Sequence, residues 1–397
     1  MKNKNAAYID RSAMVQNFLA IREHVKGKGA DGKDPVVICV VKADAYGHGI
    51  NATADVLGSA GCGFFAVSSE NEADELRLIE TANGRHPEIL ILGHIDAENV
   101  GEMINDDITC AVVSMENAEE LEAAAKEYRA KNPGANALKV HVKLDTGMNR
   151  VGFPTDDRRR GQTADEIKKI SEFENIRLCG IFTHFACADD ELMDGKSVEG
   201  YDPKGYTMMQ LERYKTMLGM LEERGVNPGL RHAANSAGIM MLPEAYFDAV
   251  RAGVIIYGLM PNGSVDKRLR PAMKMCSTVT HIHELYAGEK ISYGATFTAE
   301  KTMKIATVAA GYADGFERAY SGCEVTINGK KYRQVGRICM DQFMVDITDA
   351  DDVKVGDEVT LFGGDDGQST NDLARRAGSI NYEVICKVSK RVPRTVI

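Results

Sequence analysis

No CxxC pair occurs among the nine cysteines of this 397-residue chain, Cys39, Cys62, Cys110, Cys179, Cys187, Cys276, Cys323, Cys339 and Cys386. They are odd in number and widely scattered. Most stand in apolar stretches such as VVICVV and IRLCGIF, where a reduced cysteine packs as a small hydrophobe, which points to a reducing compartment. No apolar run approaches the roughly 18 residues that a membrane span needs, and the N-terminal MKNKNAAYIDRSAM has no apolar core of signal-peptide length. The expected location is the cytoplasm, with no membrane partner. Positive charge is in the minority, 48 Lys and Arg against 58 Asp and Glu for a formal net charge of -10, so nucleic acid is not an expected partner and small molecules are.

Several catalytic signatures are also missing. There is no GxSxG, no Walker loop and no HExxH. GKGADG, from Gly27 to Gly32, fits GxGxxG, but it precedes a strand where a dinucleotide site must follow one. HIHE, from His281 to Glu284, sets two histidines on one strand face without a placed third ligand, so no metal is expected.

What the chain does have is an average globular composition, 44% hydrophobic and 27% charged, and a regular alternation. The short apolar runs VVICVV, GFFAVSS, EILILG, ITCAVVS, LKVHVKL, IRLCGIFTH, LRHAANS and YFDAVRAG alternate with amphipathic stretches such as MENAEELEAAAKEYRAK at 115 to 131. Near-continuous apolar strands separated by helices predict a parallel sheet covered by helices. About eight such units in roughly 250 residues is the count of an α/β (β/α)₈ TIM-type barrel, with a doubly wound sheet as the alternative. After about Pro271, HIHELYAGEKISYGATFTA, MKIATVAAGYA, CEVTINGKKYRQVG, FMVDIT and DEVTLFGG are short β-like runs divided by turn residues, and Asn328–Gly329 signals a hairpin. The expected division is a barrel over 10–270 and a mainly β-strand domain over 271–397, with residues 1–9 packing against the latter. Ala188 to Gly205 reads as a surface loop.

Chemistry gathers at the strand ends, the face where barrel active sites lie. VVICVV ends in Lys42, with Tyr46 four residues on. A lysine in such a mouth can be held partly neutral by desolvation and attack a carbonyl to form a Schiff base; the plainer alternative is a lysine snorkelling to solvent. KLDTGMNR brings Lys143, Asp145 and Arg150, FTHFA brings His184, HAANSAG brings His232, Asn235 and Ser236, and VRAGV brings Arg251, Gly253 and Val254. The last two segments fall at strands seven and eight, where barrels commonly bind phosphate. Ser236 suits that role, or equally that of a helix cap. A Schiff-base lysine and a phosphate cradle in one mouth suggest pyridoxal 5′-phosphate (PLP).

VVKADAYGHG, KLDTGMNRVGF, THFACAD, RHAANSAG, VRAGVIIYGL, KISYGATF, AAGYADGF, GRICMDQ and NYEVICKVSKRVPR stand in that order, and with them the chain resembles the alanine racemases, PLP enzymes of fold type III, over essentially its full length. The resemblance implies an N-terminal barrel, a C-terminal β domain and a head-to-tail homodimer with shared active sites. It implies racemisation of L- and D-alanine by two bases, Lys42, which also carries the cofactor, and Tyr293 from the partner chain, supplying D-alanine for peptidoglycan. Removing a proton from one face of Cα and returning one to the other explains the need for two. Arg251 matches the arginine that faces the pyridine nitrogen. His184 matches the histidine networked with Arg251 and the catalytic tyrosine, where a nearby positive charge would favour that tyrosine's ionised form.

By the same resemblance, Arg150 contacts the cofactor phenolate oxygen and the substrate carboxylate, and Lys143 holds a position often carbamylated in the family. Tyr46, Ser236, Gly253, Val254 and Tyr382 match the phosphate set, and Asn235 belongs with the cofactor-binding residues. The main-chain N–H of Met340 from the partner chain meets the substrate carboxylate, and Tyr312, Asp341 and Tyr382 line the entrance. The loops at 28–34 and 188–205 are longer than the family pattern, and FERAY lacks an expected proline. Rival readings are a serine or broad-specificity racemase, against which the tyrosine-lined entrance argues; a decarboxylase, which leaves Tyr293 without a task; and a non-catalytic PLP-binding barrel, which would need no second domain.

Overall fold

The computed structural model describes residues 5–79, 84, 86–189 and 202–397. Eight parallel strands make the first body: β2 Val36–Val40, β3 Phe64–Val67, β4 Glu88–Ile91, β5 Thr109–Val112, β6 Leu138–Asp145, β7 Ile176–Phe182, β8 Leu230–His232 and β9 Ala249–Ala252. Each pairs with the next, and Ala249–Ala252 returns to pair with Val36–Cys39. The ring is therefore closed, which separates it from an open doubly wound sheet. Strands β3 and β5 are buried along their whole length. One face lies in the barrel and the other under helices, which is why these strands read as continuous apolar runs.

The surrounding helices are α1 Arg11–Val25, α2 Ile50–Ser59, α3 Glu70–Arg77, α4 Val100–Asn105, α5 Met115–Lys131, α6 Arg160–Ser171, α7 Pro203–Glu223 and α8 Ser236–Met241. Their starts follow capping chemistry: Asp10 accepts the Ala13 N–H, Ser114 that of Asn117 and Asp202 that of Gly205. Helix α5 begins and ends at the limits expected from its amphipathic period. Of the loop expected over 188–205, residues 190–201 lie outside the described residues. None of the described helices is long and apolar enough to cross a membrane.

The second body is built from β10 Met273–Leu285, β11 Met303–Val308, β12 Glu324–Ile327, β13 Lys330–Val335, β14 Phe343–Asp346 and β15 Glu358–Phe362. They pair antiparallel in the order β10, β11, β14, β13, β12, β15 and back to β10. Asn328 and Gly329, at φ 52° and 75°, make the turn between β12 and β13 with both residues in the left-handed region. Ala6–Ile9, β1, adds to β10 antiparallel and lies parallel to β16 Arg394–Val396. Two helices, α9 Thr370–Ala377 and α10 Asn381–Cys386, complete this mainly β-strand body.

Asn17 on α1 ties the first helix to the segment that leads out of the barrel. Its buried side chain donates to the carbonyls of Ile256 and Arg270 at 2.9 and 2.8 Å and accepts the Arg270 N–H at 2.7 Å, so its amide oxygen and nitrogen are both used. Farther on, Arg394 donates from Nε to the Gly47 carbonyl at 2.9 Å, which brings the C-terminal strand against the mouth of the barrel.

Candidate active site

Strand β2 delivers Lys42 to the barrel mouth, and the chain then makes an unusual turn. Ala43, Asp44, Ala45 and Tyr46 all have positive φ, between 52° and 54°, followed by Gly47 at 80°. Four successive non-glycine residues in the left-handed region are disfavoured sterically, so the surroundings must hold them. They do: the Glu72 carboxylate accepts the Ala43 N–H at 2.6 Å and the Ser68 N–H at 2.9 Å, and Asp44 accepts the Ile50 N–H at 2.8 Å. Gly47 is required where it stands, because a Cβ there would lie 2.2 Å from the Ile385 carbonyl oxygen. The turn leaves Lys42 and Tyr46 together at the rim. Burial, and then the nearby Arg150 charge, hold the Lys42 ammonium below its ordinary range, against the pull of Glu72.

Tyr46 forms one wall of a narrow seat. Its ring lies 5.1 Å from that of Tyr257 and 6.1 Å from that of Tyr382. The Gly253 N–H donates to Ser236 Oγ at 2.9 Å, and a Cβ added at Gly253 would come within 2.8 Å of the Tyr46 hydroxyl and 3.4 Å of Ser236 Oγ. Residue 253 is thus a glycine so that backbone and two hydroxyls can converge. Asn235, not Ser236, caps α8, its Oδ1 accepting the Gly238 N–H at 3.0 Å. That frees the Ser236 hydroxyl for Gly253, whose successor Val254 begins the short turn Val254–Tyr257.

Arg251, on β9, is buried in the barrel. Nη1 donates to His232 Nδ1 at 2.9 Å and to the His232 carbonyl at 3.1 Å. Nη2 donates to the carbonyls of Thr183 and Ala233 at 2.6 and 3.0 Å and to His184 Nδ1 at 3.4 Å. Among the described residues no hydrogen bond uses Nε, so one donor of the guanidinium remains uncommitted. Burial depresses this group to about 10, still charged at neutral pH. Phe182 lies under three neighbours, stacked on His232 at 4.9 Å with Arg251 and Lys143 over its ring at 5.4 and 5.6 Å.

The surrounding titratable groups respond to that crowd of cations. Burial, followed by the Arg251 charge, pushes Lys143 down to about 8; Asp145 opposes the shift and Arg150 adds to it. His184 is held neutral by burial and then by Arg251. The positive charge beside His184 is therefore carried by Arg251 and not by the imidazole. Arg150 is exposed and has no hydrogen bond or ion pair among the described residues. Cys386, which sequence reasoning passed over, stands near enough to Lys42 to feel its charge, although burial carries the thiol up to about 11.

The remaining expected residues form a second cluster on the strand domain. Ser292 donates to the Arg337 carbonyl at 2.6 Å, which braces the Tyr293 turn on the segment leading to Met340. The N–H groups of Tyr312 and Ala313 donate to the carbonyls of Cys339 and Met340, both at 3.1 Å. Arg391 bridges Asp314 and Asp341, at 2.7 Å from Nε to the first and 2.8 Å from Nη2 to the second. Tyr293, Met340 and Tyr312 are exposed by 71%, 53% and 45%. Among the described residues no hydrogen bond, ion pair or ring contact joins them or Asp341 to the barrel mouth of the same chain.

Residues 9–261 match the family model described as alanine racemase, N-terminal domain, and residues 272–396 the model described as alanine racemase, C-terminal domain. An alanine racemase of Methanococcus maripaludis is 40% identical over 393 residues, covering 98% of this chain and 97% of the relative. Alanine racemase 1 of Clostridium acetobutylicum is 42% identical over 398 residues, covering 98% and 95%. Among solved structures, an alanine racemase of Clostridium difficile 630 superposes with a TM-score of 0.87 at 38% identity, covering 100% of this chain and 96% of the other. That of Bacillus anthracis, with bound L-Ala-P, gives 0.84 at 32% identity, covering 100% and 96%.

Proposed function

The chain belongs to the alanine racemase family, isomerases acting on amino acids, and on that premise we propose that it interconverts L- and D-alanine with pyridoxal 5′-phosphate as its resident cofactor. The observation that carries this reading is Arg251, whose hydrogen bonds engage Nη1 and Nη2 and leave Nε for a ring nitrogen. The rest of the mouth fits the same group. Lys42 is an amine pushed toward its neutral, nucleophilic form, as covalent attachment requires. The Tyr46 and Ser236 hydroxyls converge on Gly253, where they and the N–H groups of Gly253 and Val254 would hold the phosphate, with Tyr382 closing the seat. Asn235 supports that seat by relieving Ser236 of the capping task.

Pyridoxal 5′-phosphate, when bound, supplies the electron sink that makes the substrate Cα–H acidic. Lys42 holds or releases the proton on one face of Cα, and the partner's Tyr293 does so on the other. One group per face is the simplest arrangement for inverting a centre by proton removal and return. Arg251 keeps its proton and would present a donor to the ring nitrogen, which would disfavour protonation there and so favour return of the proton to Cα over decarboxylation or transamination. His184 accepts from Arg251 at Nδ1, so its own proton sits on Nε2, ready for donation to the partner's Tyr293 oxygen.

Arg150 and the main-chain N–H of the partner's Met340 would bind the substrate carboxylate. Tyr382 and the partner's Tyr312 and Asp341 would narrow the entrance to small side chains. The exposed Tyr293–Met340 cluster, unconnected to its own barrel mouth, supports a homodimer in which each chain completes the other's site. The proposed setting is the cytoplasm, supplying D-alanine for peptidoglycan. Purification without added cofactor, an absorption spectrum and a chiral assay on L-alanine beside L-serine test the whole reading. Bound cofactor and D-alanine formation at the higher kcat/KM are expected. A kcat/KM for serine equal to or above that for alanine, or carbon dioxide release as the main reaction, overturns it.

A further inference from the structure

Arg251 has a back side as well as a front. Its Nη1 donates to His232 Nδ1 at 2.9 Å, and His232 Nε2 in turn lies 2.9 Å from His141 Nδ1. A guanidinium has donors only, so His232 Nδ1 must be the bare nitrogen of its ring. The neutral ring then carries its proton on Nε2, where the atom it faces must accept. His141 Nδ1 does so, which leaves the His141 proton on Nε2. Direction is thereby set along the whole row: Arg251 donates to His232, and His232 donates to His141. Both rings are kept neutral by burial, with the Arg251 charge adding to it.

The chain makes specific room for the third member. His141 sits two residues before Lys143 on β6, so the same strand face carries both, His141 roughly 7 Å deeper in the barrel. Opposite it on β7 stands Gly180, where an added Cβ would lie 2.6 Å from His141 Cε1 and Nε2. The pairing of β6 with β7 also shifts register between Val140 and His141. Phe64 meets the ring edge-on at 6.5 Å, and Phe182 stacks on His232 with the planes 4° apart. Such provision for a ring that touches neither mouth nor solvent calls for a function.

We propose that His141 is a positioning residue for Arg251: by accepting from His232 it fixes which nitrogen His232 turns to the guanidinium, and so fixes the direction in which Arg251 Nε meets the cofactor ring. Without an acceptor at position 141, His232 can relieve its stranded N–H only by moving that proton to Nδ1. An N–H there would confront an Arg251 N–H, and the guanidinium would have to rotate or withdraw. The inference rests on the assignment of Arg251 to the ring nitrogen, but its first half concerns the protein alone.

The test therefore has two arms. Histidine 15N spectra of the full chain, taken before cofactor is added and resolved with a His232→Gln comparison, report the His232 tautomer. A proton on Nε2 in the parent that shifts in His141→Leu supports the relay; a proton on Nδ1 in the parent overturns it, whether or not the chain proves to be a racemase. In the holoenzyme, His141→Leu should lower kcat about tenfold to a hundredfold with KM little changed and shift the absorption band of the bound cofactor, as expected for a displaced group outside direct contact. His141→Gln, which keeps an acceptor oxygen, should recover most of both. Gly180→Ala, which evicts the ring without removing it, should resemble His141→Leu and decides the matter if the leucine variant does not fold. An unchanged kcat and absorption band in both His141→Leu and Gly180→Ala refutes the proposal.

Discussion

Ser236 Oγ accepts the Gly253 N–H at 2.9 Å, and the Tyr46 hydroxyl stands only 2.8 Å from where a side chain on residue 253 would begin. A methyl group at that point collides with the Tyr46 hydroxyl or displaces it. Gly253→Ala should leave the fold intact, because the neighbouring atoms are side-chain ends, and should weaken cofactor binding at least about tenfold, since a 1.4 kcal/mol loss already suffices for that. Titration of the chain with PLP, followed by absorbance, measures it. Unchanged affinity would remove Gly253 and its hydroxyl partners from the proposed phosphate seat.

The separation of Tyr293 from its own barrel mouth makes shared sites measurable. Lys42→Ala should lose both the cofactor's characteristic absorbance and activity, whereas Tyr293→Phe should keep the absorbance and lose about 10² to 10⁴ in rate, the usual value of a general acid or base. Mixed in equal amounts with subunit exchange, the two inactive variants should recover about a quarter of parent activity: half the dimers are mixed, and each has one of two sites complete. No recovery despite exchange, shown by differently tagged chains, sinks the shared-site assignment.

Lys143 is pushed down to about 8 from an ordinary 10.5, first by burial and then by Arg251. Between those two values the unfolded chain binds the proton that the folded chain has released, so this group's contribution makes stability rise with pH across that window; below about pH 8 the cost of the buried ammonium is present in full. Lys143→Met should flatten that rise, which urea melts at pH 7.5 to 10 would show. The neutral amine is also the form that adds carbon dioxide, losing one proton to give a carbamate anion beside Arg251 and Arg150. Labelled bicarbonate should therefore give a carbamate 13C signal that Lys143→Met lacks. Identical 13C spectra from the two proteins would leave the lysine unmodified.

Arg391 faces solvent on one side, while Asp314, which it grips through both carboxylate oxygens at 2.7 and 2.9 Å, is almost completely buried. Removing the arginine strands a buried carboxylate, whose other acceptance is the Gly311 N–H at 2.9 Å. With allowance for the exposure of Arg391, Arg391→Ala should cost about 1–3 kcal/mol in a denaturant melt. Asp314→Asn added to it should recover part of the loss, as replacing both partners costs less than orphaning one. Additive losses in the double variant would argue against the pair.

The barrel was legible because its strands are buried on both faces, so that VVICVV or GFFAVSS declares itself without knowledge of any partner. Lys42 was legible for a related reason, as a charge at the abrupt end of such a run. The roles of His141 and His232 were not, since they depend on a pairing across 91 residues of sequence and on the emptiness at Gly180. Helix α10, NYEVIC, has β-like composition, yet it is a helix packed against the turn at the barrel mouth, its Ile385 carbonyl against Gly47 and its Asn381 donating to the Met260 carbonyl at 2.9 Å. At Ser236 the cap alternative was removed by its neighbour, because Asn235 takes the cap and leaves the Ser236 hydroxyl to the Gly253 N–H.

The left-handed turn from Ala43 to Tyr46 is likewise invisible in its residue types, none of which is glycine. Its handedness has a consequence for synthesis. Ordinary L-residues are strained there, by roughly 1–2 kcal/mol each, whereas their mirror images would adopt the same backbone at ease. In a chain assembled chemically, D-alanine at positions 43 and 45 should tighten the fold, so the stretch following the proposed catalytic lysine is itself built to the geometry of the opposite enantiomer.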